Sequence, residues 1–255
     1  MQELTFIPSE PERLFDVHGL QQVPGGVTCR SALGPWATGP DGRTAPGALG
    51  VLADEVSGYA LMASLPEGSW SISTEIWIDV VGELPLSGAL EACARPVQEG
   101  SFAVGRIRDE EGQVVVVCRQ RGRAVARPEG LDLATVEAPA GTLRAPDLLS
   151  LLGLRAGAGA GVLPASPSLL NPRGMLHGGV SLAASDAMAT LSRLDAGSTL
   201  PTTSIHIVHT RGIAEGAQLE LRATTRHSGR TLWVTDVVGT VDGRTCTVAT
   251  VTAQP

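Results

Sequence analysis

The sequence predicts an α+β chain made of two similar units in tandem. Three observations carry this. First, "GALGVLADEVSGYAL" (47–61) resembles "GVSLAASDAMATL" (179–191). Setting Asp54 against Asp186 gives an offset of 132 residues, which also puts Gly47 against Gly179. Second, each half has one helical stretch followed by several runs of alternating apolar and polar residues, so strands outnumber helices. Third, Glu-Glu-Gly-Gln (110–113) and Val-Asp-Gly-Arg (241–244) are turn signals that split the late β-rich stretch of each half into a hairpin.

Taken in order, each half reads as a short strand, a central helix and several long antiparallel strands. Leu49, Leu52, Val56 and Tyr59 form the apolar stripe of the first helix; Val180, Ala184, Ala187 and Leu191 form that of the second. Asp54 and Asp186 fall outside these stripes, where a solvated carboxylate is the ordinary reading. Alternating runs follow at "SISTEIWIDV" (71–80) and "TTSIHIVHT" (202–210), then longer β-rich stretches with Gly100 and Gly229 expected in mid-strand. Residues 127–146 are rich in Pro, Gly and Ala and carry no sustained period. The first unit is therefore placed at 1–130, a linker at 131–146 and the second unit at 147–255. "DLLSLLGL" (147–154) reads as a short helix and "RAGAGAGV" (155–162) as a loop feeding a strand.

Composition excludes several classes. Of 255 residues 43% are hydrophobic and 18% charged, enough apolar material for a sizeable core and too little charge for a disordered chain. A net charge of −7 argues against a general nucleic-acid binder. All 19 basic residues are arginine, which excludes a Schiff-base or P-loop lysine. Cys29, Cys93, Cys118 and Cys246 are scattered, with no C-x-x-C pair and no leading apolar segment, so reduced thiols and a cytoplasmic location are expected. No run reaches the length of a membrane span.

Chemistry concentrates in "NPRGMLHGGVSLAASD" (171–186), where Asn171, His177, Gly178 and Gly179 precede a helix carrying Asp186 nine residues after the His. Glycine is a poor helix former, so two of them at a helix start mean that the loop needs glycine for a reason other than helix propensity. The Asn-x5-His-Gly-Gly pattern followed by this carboxylate resembles the hotdog-fold thioesterases of the phenylacetate-pathway (PaaI-like) type. The resemblance covers nearly the whole chain as two fused hotdog units. The first half has "TAPGALG" (44–50) in place of the His-Gly-Gly loop.

The resemblance implies that each unit is a long helix wrapped by an antiparallel sheet, with the two paired as an intrachain pseudo-dimer. It also implies sites at the junction, each drawing its loop from one unit and its carboxylate from the other. Site A then comprises Asn171, His177, Gly178 and Gly179 with Asp54 and Ser73. The amide of Gly178 or Gly179 would hold an oxyanion, Asp54 would act as base or nucleophile, Ser73 would orient water and His177 would shape the loop. Glu55 is the fallback base. Site B comprises Asp186, Thr190 and Thr202, but its loop has Pro46, Ala45 and Gly39 where site A has Gly178, His177 and Asn171. Proline has no amide hydrogen, so one working site is expected.

Arg119, Arg121 and Arg123 share a strand face that reads first as solvated, with a coenzyme A phosphate patch as the alternative. Gly229 and Arg230 lie where the family often contacts pantetheine or nucleotide. His206 and His209, three apart in a strand, point to opposite faces and are not expected to hold a metal. The expected activity is acyl-CoA hydrolysis to free acid and CoA, with no cofactor beyond the coenzyme A of the substrate. No nucleic-acid or membrane partner is expected, and the pseudo-dimeric monomer is the minimal unit, with a higher homo-oligomer left open. A non-catalytic acyl-CoA-binding double hotdog is the rival. A dehydratase is weaker, because neither helix contains the His such relatives use.

Overall fold

The structure, a computed structural model, describes residues 4, 6–127, 145–157 and 159–255. Most of the expected linker, 131–144, lies outside the described residues.

Four α-helices are present among the described residues: α1 (Glu10–Leu14), α2 (Gly50–Ala63), α3 (Leu148–Leu152) and α4 (Gly178–Asp195). The first half contributes β1 (His18–Val23), β2 (Gly26–Leu33), β3 (Ser69–Val80), β4 (Gly88–Gln98), β5 (Phe102–Arg108) and β6 (Val114–Ala126). The second contributes β7 (Arg155–Gly157), β8 (Ala160–Pro164), β9 (Thr202–His209), β10 (Gln218–Ser228), β11 (Trp233–Val241) and β12 (Arg244–Ala253). They form one antiparallel sheet of 12 strands in the order β1-β2-β4-β5-β6-β3-β9-β12-β11-β10-β8-β7. The second half of this order mirrors the first, and the halves join where β3 pairs with β9. Ile76 faces Ile207 and Ile78 faces Ile205 across that seam, with Trp77 and His206 stacked 4.3 Å apart at its centre.

Each sheet half wraps its own helix. Helix α2 is buried on nearly every side, including Asp54 at 8% exposure, and Asp186 on α4 is 1% exposed. The solvated reading of these carboxylates is therefore wrong: a stripe along the chain does not reveal a helix enclosed by a sheet on one side and a second helix on the other. Two strands, not one, precede each central helix, and part of the expected 155–162 loop is strand β7. Gly100 (φ +65°) turns between β4 and β5, and Gly229 lies between β10 and β11, so neither is in mid-strand. The predicted turn at Asp242-Gly243 has both residues at positive φ, as a type I′ hairpin requires.

A bulge sits at the same place in both halves. Ser73 pairs with Gly122 and Glu75 with Arg121, leaving Thr74 as the extra residue. Thr202 pairs with Ala253 and Ser204 with Thr252, leaving Thr203 extra. A bulge shifts the period-2 alternation by one. It puts Ser73 on the same inward face as Ile76 and Ile78, against the alternation written in the sequence. Among the described residues no helix is long and apolar enough to cross a membrane.

Candidate active site

The two loops before the central helices superimpose at an offset of 132. Gly39 N–H bonds to Arg43 O at 2.7 Å, and Asn171 N–H to Met175 O at 2.7 Å; Ala45 N–H bonds to Ala37 O, and His177 N–H to Leu169 O. The helix starts then exchange partners across the pseudo-dyad. Gly179 N–H donates to Asp54 Oδ2 at 3.0 Å, and Gly47 N–H donates to Asp186 Oδ2 at 2.8 Å. Each carboxylate therefore meets the other half's loop.

Site A lies in a cleft of about 440 Å³ lined by Asp54, Glu55, Ser73, Asn171, His177 and Gly178 among others. A Cβ built on Gly178 would lie 2.7 Å from both Asp54 Oδ2 and Ser73 Oγ and 3.3 Å from His209 Cε1. Glycine keeps that space open. Gly178 N–H has no partner among the described residues, as expected of a first-turn amide. Gly179 N–H is committed to Asp54 Oδ2, with His177 Nδ1 (3.1 Å) a second acceptor only while that nitrogen is unprotonated, so it is not available to an oxyanion and the expectation narrows to Gly178. Gly179 is glycine for another reason: a Cβ there would meet Gly50 C and O at 2.4 Å, where α2 and α4 touch backbone to backbone. Asn171 Oδ1 accepts from Arg173 N–H (2.9 Å) and Met175 N–H (3.3 Å), fixing the loop and leaving its NH₂ as the group available to a ligand.

His177 caps α4 and is 3% exposed. Its Nδ1 is 3.4 Å from Asp54 Oδ2; its Nε2 is 3.2 Å from Glu55 Oε1 and 3.4 Å from Glu12 Oε1. Three carboxylates cannot all stay ionised around one ring away from water. Burial, reinforced by the charge of Glu12, pushes Glu55 up to about 8. Against burial, which lowers it, bonds to Glu12 and Glu55 and the charge of Asp54 hold the His177 pKa well above that of an ordinary imidazole. Against burial, which raises it, His177 keeps Glu12 below the usual glutamate value. Sequence reasoning missed Glu12, because a charged residue in a five-residue helix has no spacing that marks it. It considered His209 only as a metal ligand. His209 lines the cleft beside the Gly178 backbone, and burial lowers its pKa against the charge of Asp54.

Site B is built differently. Thr202 Oγ1 donates to Asp186 Oδ1 (2.9 Å), and the buried Arg193 donates to Thr202 and Thr190 hydroxyls at 3.3 and 3.2 Å. Both Asp186 oxygens thus have protein partners, and a cation stands behind them. Burial nonetheless raises the Asp186 pKa, opposed by Gly47 and Thr202. Pro46 lies where site A has Gly178, beside a cavity of about 720 Å³.

Of the remaining candidates only Arg123 reaches the cleft. Arg119 pairs with Asp79 at 2.8 Å and lies over Trp77, and Arg121 lies over Phe102. Gly229 and Arg230 are in the β10–β11 turn and line neither cavity. The arginines that line the cleft are Arg123, Arg173 and Arg211. Register and loop placement, which the sequence does not write, decide this.

The whole chain resembles solved structures of low identity. An Alicyclobacillus acidocaldarius protein of unknown function with a hot dog fold matches at TM-score 0.60 and 13% identity, over 98% of this chain and 99% of that one. A provisionally named oleoyl thioesterase from Lactobacillus plantarum matches at TM-score 0.63 and 13% identity, over 89% and 96%. This is a hotdog-fold protein. An acyl-ACP thioesterase from Bacteroides thetaiotaomicron shares the hotdog fold at TM-score 0.54 and 11% identity, over 88% and 96%. Residues 173–247 match the family model of the thioesterase superfamily, so the second hotdog unit carries the family's sequence signal. No curated protein matches the chain.

Proposed function

We propose that this hotdog protein is an acyl-CoA thioesterase with one working site per chain, at the Asp54–Gly178 junction. The observation that carries the reading is Gly178 at the start of α4, its amide without a partner among the described residues and its Cα set against Asp54 and Ser73 from the other half. A thioester carbonyl oxygen set against that amide gains its hydrogen bond and the positive end of α4 as charge develops on it. Asn171 NH₂ offers a second donor. Asp54, with Oδ2 held by Gly179, takes a proton from a water that Ser73 orients, and the water oxygen adds to the carbonyl carbon. Collapse of the tetrahedral intermediate breaks the C–S bond, and the proton held by Asp54 passes to the departing sulfur, which releases thiol and acid and restores the carboxylate. Arg123, Arg173 and Arg211 have the fork geometry that suits the phosphates of coenzyme A.

Site B lacks the amide donor, the His and the Asn, and its aspartate is tied to Thr202. We assign it no turnover. The test is thiol release from a panel of acyl-CoAs. Asp54→Asn should lower kcat by about 10²–10⁴-fold while Asp186→Asn leaves it near wild type. Equal losses in folded proteins would refute the one-site assignment. Tight acyl-CoA binding without thiol release would favour the non-catalytic reading.

A further inference from the structure

Helix α1 belongs to the first half but packs on residues Pro167–Leu169 of the second half's loop. Its pseudo-dyad mate is α3, which packs in the same way on Pro35–Ala37 of the first half. The two helices align through matching backbone bonds: Val17 N–H to Glu12 O, and Leu154 N–H to Leu149 O. Asp16 and Gly153, both at positive φ, end them alike. Glu12 therefore corresponds to Leu149.

That correspondence completes a pattern. The elements kept in both halves are the carboxylates Asp54 and Asp186, the amides of Gly179 and Gly47 that bind them, and the hydroxyls of Ser73 and Thr202. The three residues that meet at His177 Nε2 are present in site A alone. His177, Glu55 and Glu12 are matched by Ala45, Ala187 and Leu149. A buried carboxylate and a buried imidazole are costly unless each has the other, so the three stand or fall as a unit.

We propose that Glu12, carried by α1, is a positioning residue of the active site: it holds the His177 ring from the Nε2 side, so that the Nδ1 edge faces Asp54 and the Gly179 amide. Glu12 is 1% exposed, and its second partner is the Ser9 hydroxyl, which fixes the carboxylate. The groups facing His177 are Glu12 from α1, Asp54 and Glu55 from α2 and His209 from β9, with the Tyr59 phenol beyond Glu55. Glu55 Oε1 is the nearer partner of Nε2 at 3.2 Å, and Glu12 Oε1 joins it at 3.4 Å from a separate helix, fixed by Ser9, so the ring is held between two elements. Against burial, the ring lowers the Glu12 pKa, while burial raises that of Glu55. The proposal rests on the thioesterase reading of the same cleft.

The experiment compares wild type, Glu12→Leu and Glu12→Gln in the full chain. Leu is the residue at the mate position; Gln keeps an acceptor for Nε2. Displacing a reacting group by about 1 Å costs about 10²-fold, so Glu12→Leu should lower kcat by that order with KM within a few-fold. Glu12→Gln should recover most of kcat near neutral pH, with the alkaline limb of kcat/KM moved to lower pH because one anion is gone from the ring. In parallel, the titration of the five histidine rings is followed by NMR. The His177 ring should lose its proton at lower pH in both variants. Wild-type kcat in folded Glu12→Leu, or equal losses in both variants with an unmoved limb, overturns the proposal. An unchanged His177 titration in Glu12→Leu also overturns it. If wild type cleaves no thioester, the thioesterase reading fails, and the His177 titration alone decides whether Glu12 holds the ring.

Discussion

Gly178 and Gly179 are neighbours that must be glycine for opposite reasons. A Cβ at 178 would press on the flexible ends of Asp54 and Ser73, 2.7 Å away, which can shift. A Cβ at 179 would meet the Gly50 backbone at 2.4 Å, which cannot. Gly178→Ala should therefore fold with a melting temperature near wild type and lose about 10²-fold or more in kcat, by displacing the groups that hold water. Gly179→Ala should lose structure, because α2 and α4 can no longer touch. Circular dichroism and thiol release on both variants separate the two. An active Gly178→Ala, or a Gly179→Ala as stable as wild type, would contradict this division.

Short elements set the chemistry of the long ones. The Thr74 bulge turns Ser73 toward Asp54, and α1 brings Glu12 under His177. The charge cluster shared by α1, α2 and α4 has a consequence for stability. Glu55 has a folded pKa of about 8 against an ordinary 4.5, and His177 is raised above 6.5. Both groups hold more protons folded than unfolded, so their contribution is full below the unfolded values and is lost as pH rises through the folded ones. Glu12 has the opposite sign and weakens the fold only in acid, as pH falls through its lowered value. Thermal melting from pH 5 to pH 9 should show wild type losing stability toward the alkaline end. Glu55→Gln, a neutral group of the same shape, should flatten the decline. Parallel curves for the two proteins would rule out Glu55 as its source.

At the scale of the molecule, one continuous sheet and a backbone contact between α2 and α4 make the two halves interdependent. Each cleft takes its carboxylate and hydroxyl from one half or the other and its loop from the opposite one, so neither half contains a complete site. Residues 1–130 and 147–255 expressed separately should be insoluble or recombine one to one, and the second half alone should be inactive. A stable, active second half would contradict shared construction. Calorimetry with a non-hydrolysable acyl-CoA analogue should count one site per chain, abolished by Gly178→Leu and retained in Pro46→Leu. Two equivalent sites would mean that site B is intact.

Spacing and residue type alone account for what is local or periodic. The repeat at 132, the α+β class, the Asp242-Gly243 turn and the Asn171–Gly179 loop follow from spacing and from residues with few backbone options. So does the mismatch at Pro46, since a missing amide hydrogen is a covalent fact. Long-range packing settled the rest. It buried Asp54 and Asp186 between two helices, flipped Ser73 inward through one extra residue and assigned Gly178 and Gly179 different duties. It also set Glu12 against His177, 165 positions away by number, and put Arg173 and Arg211 in the cleft in place of Arg119 and Arg230. Neither burial nor register has a signature along the chain, because each is fixed by which segments pack against one another.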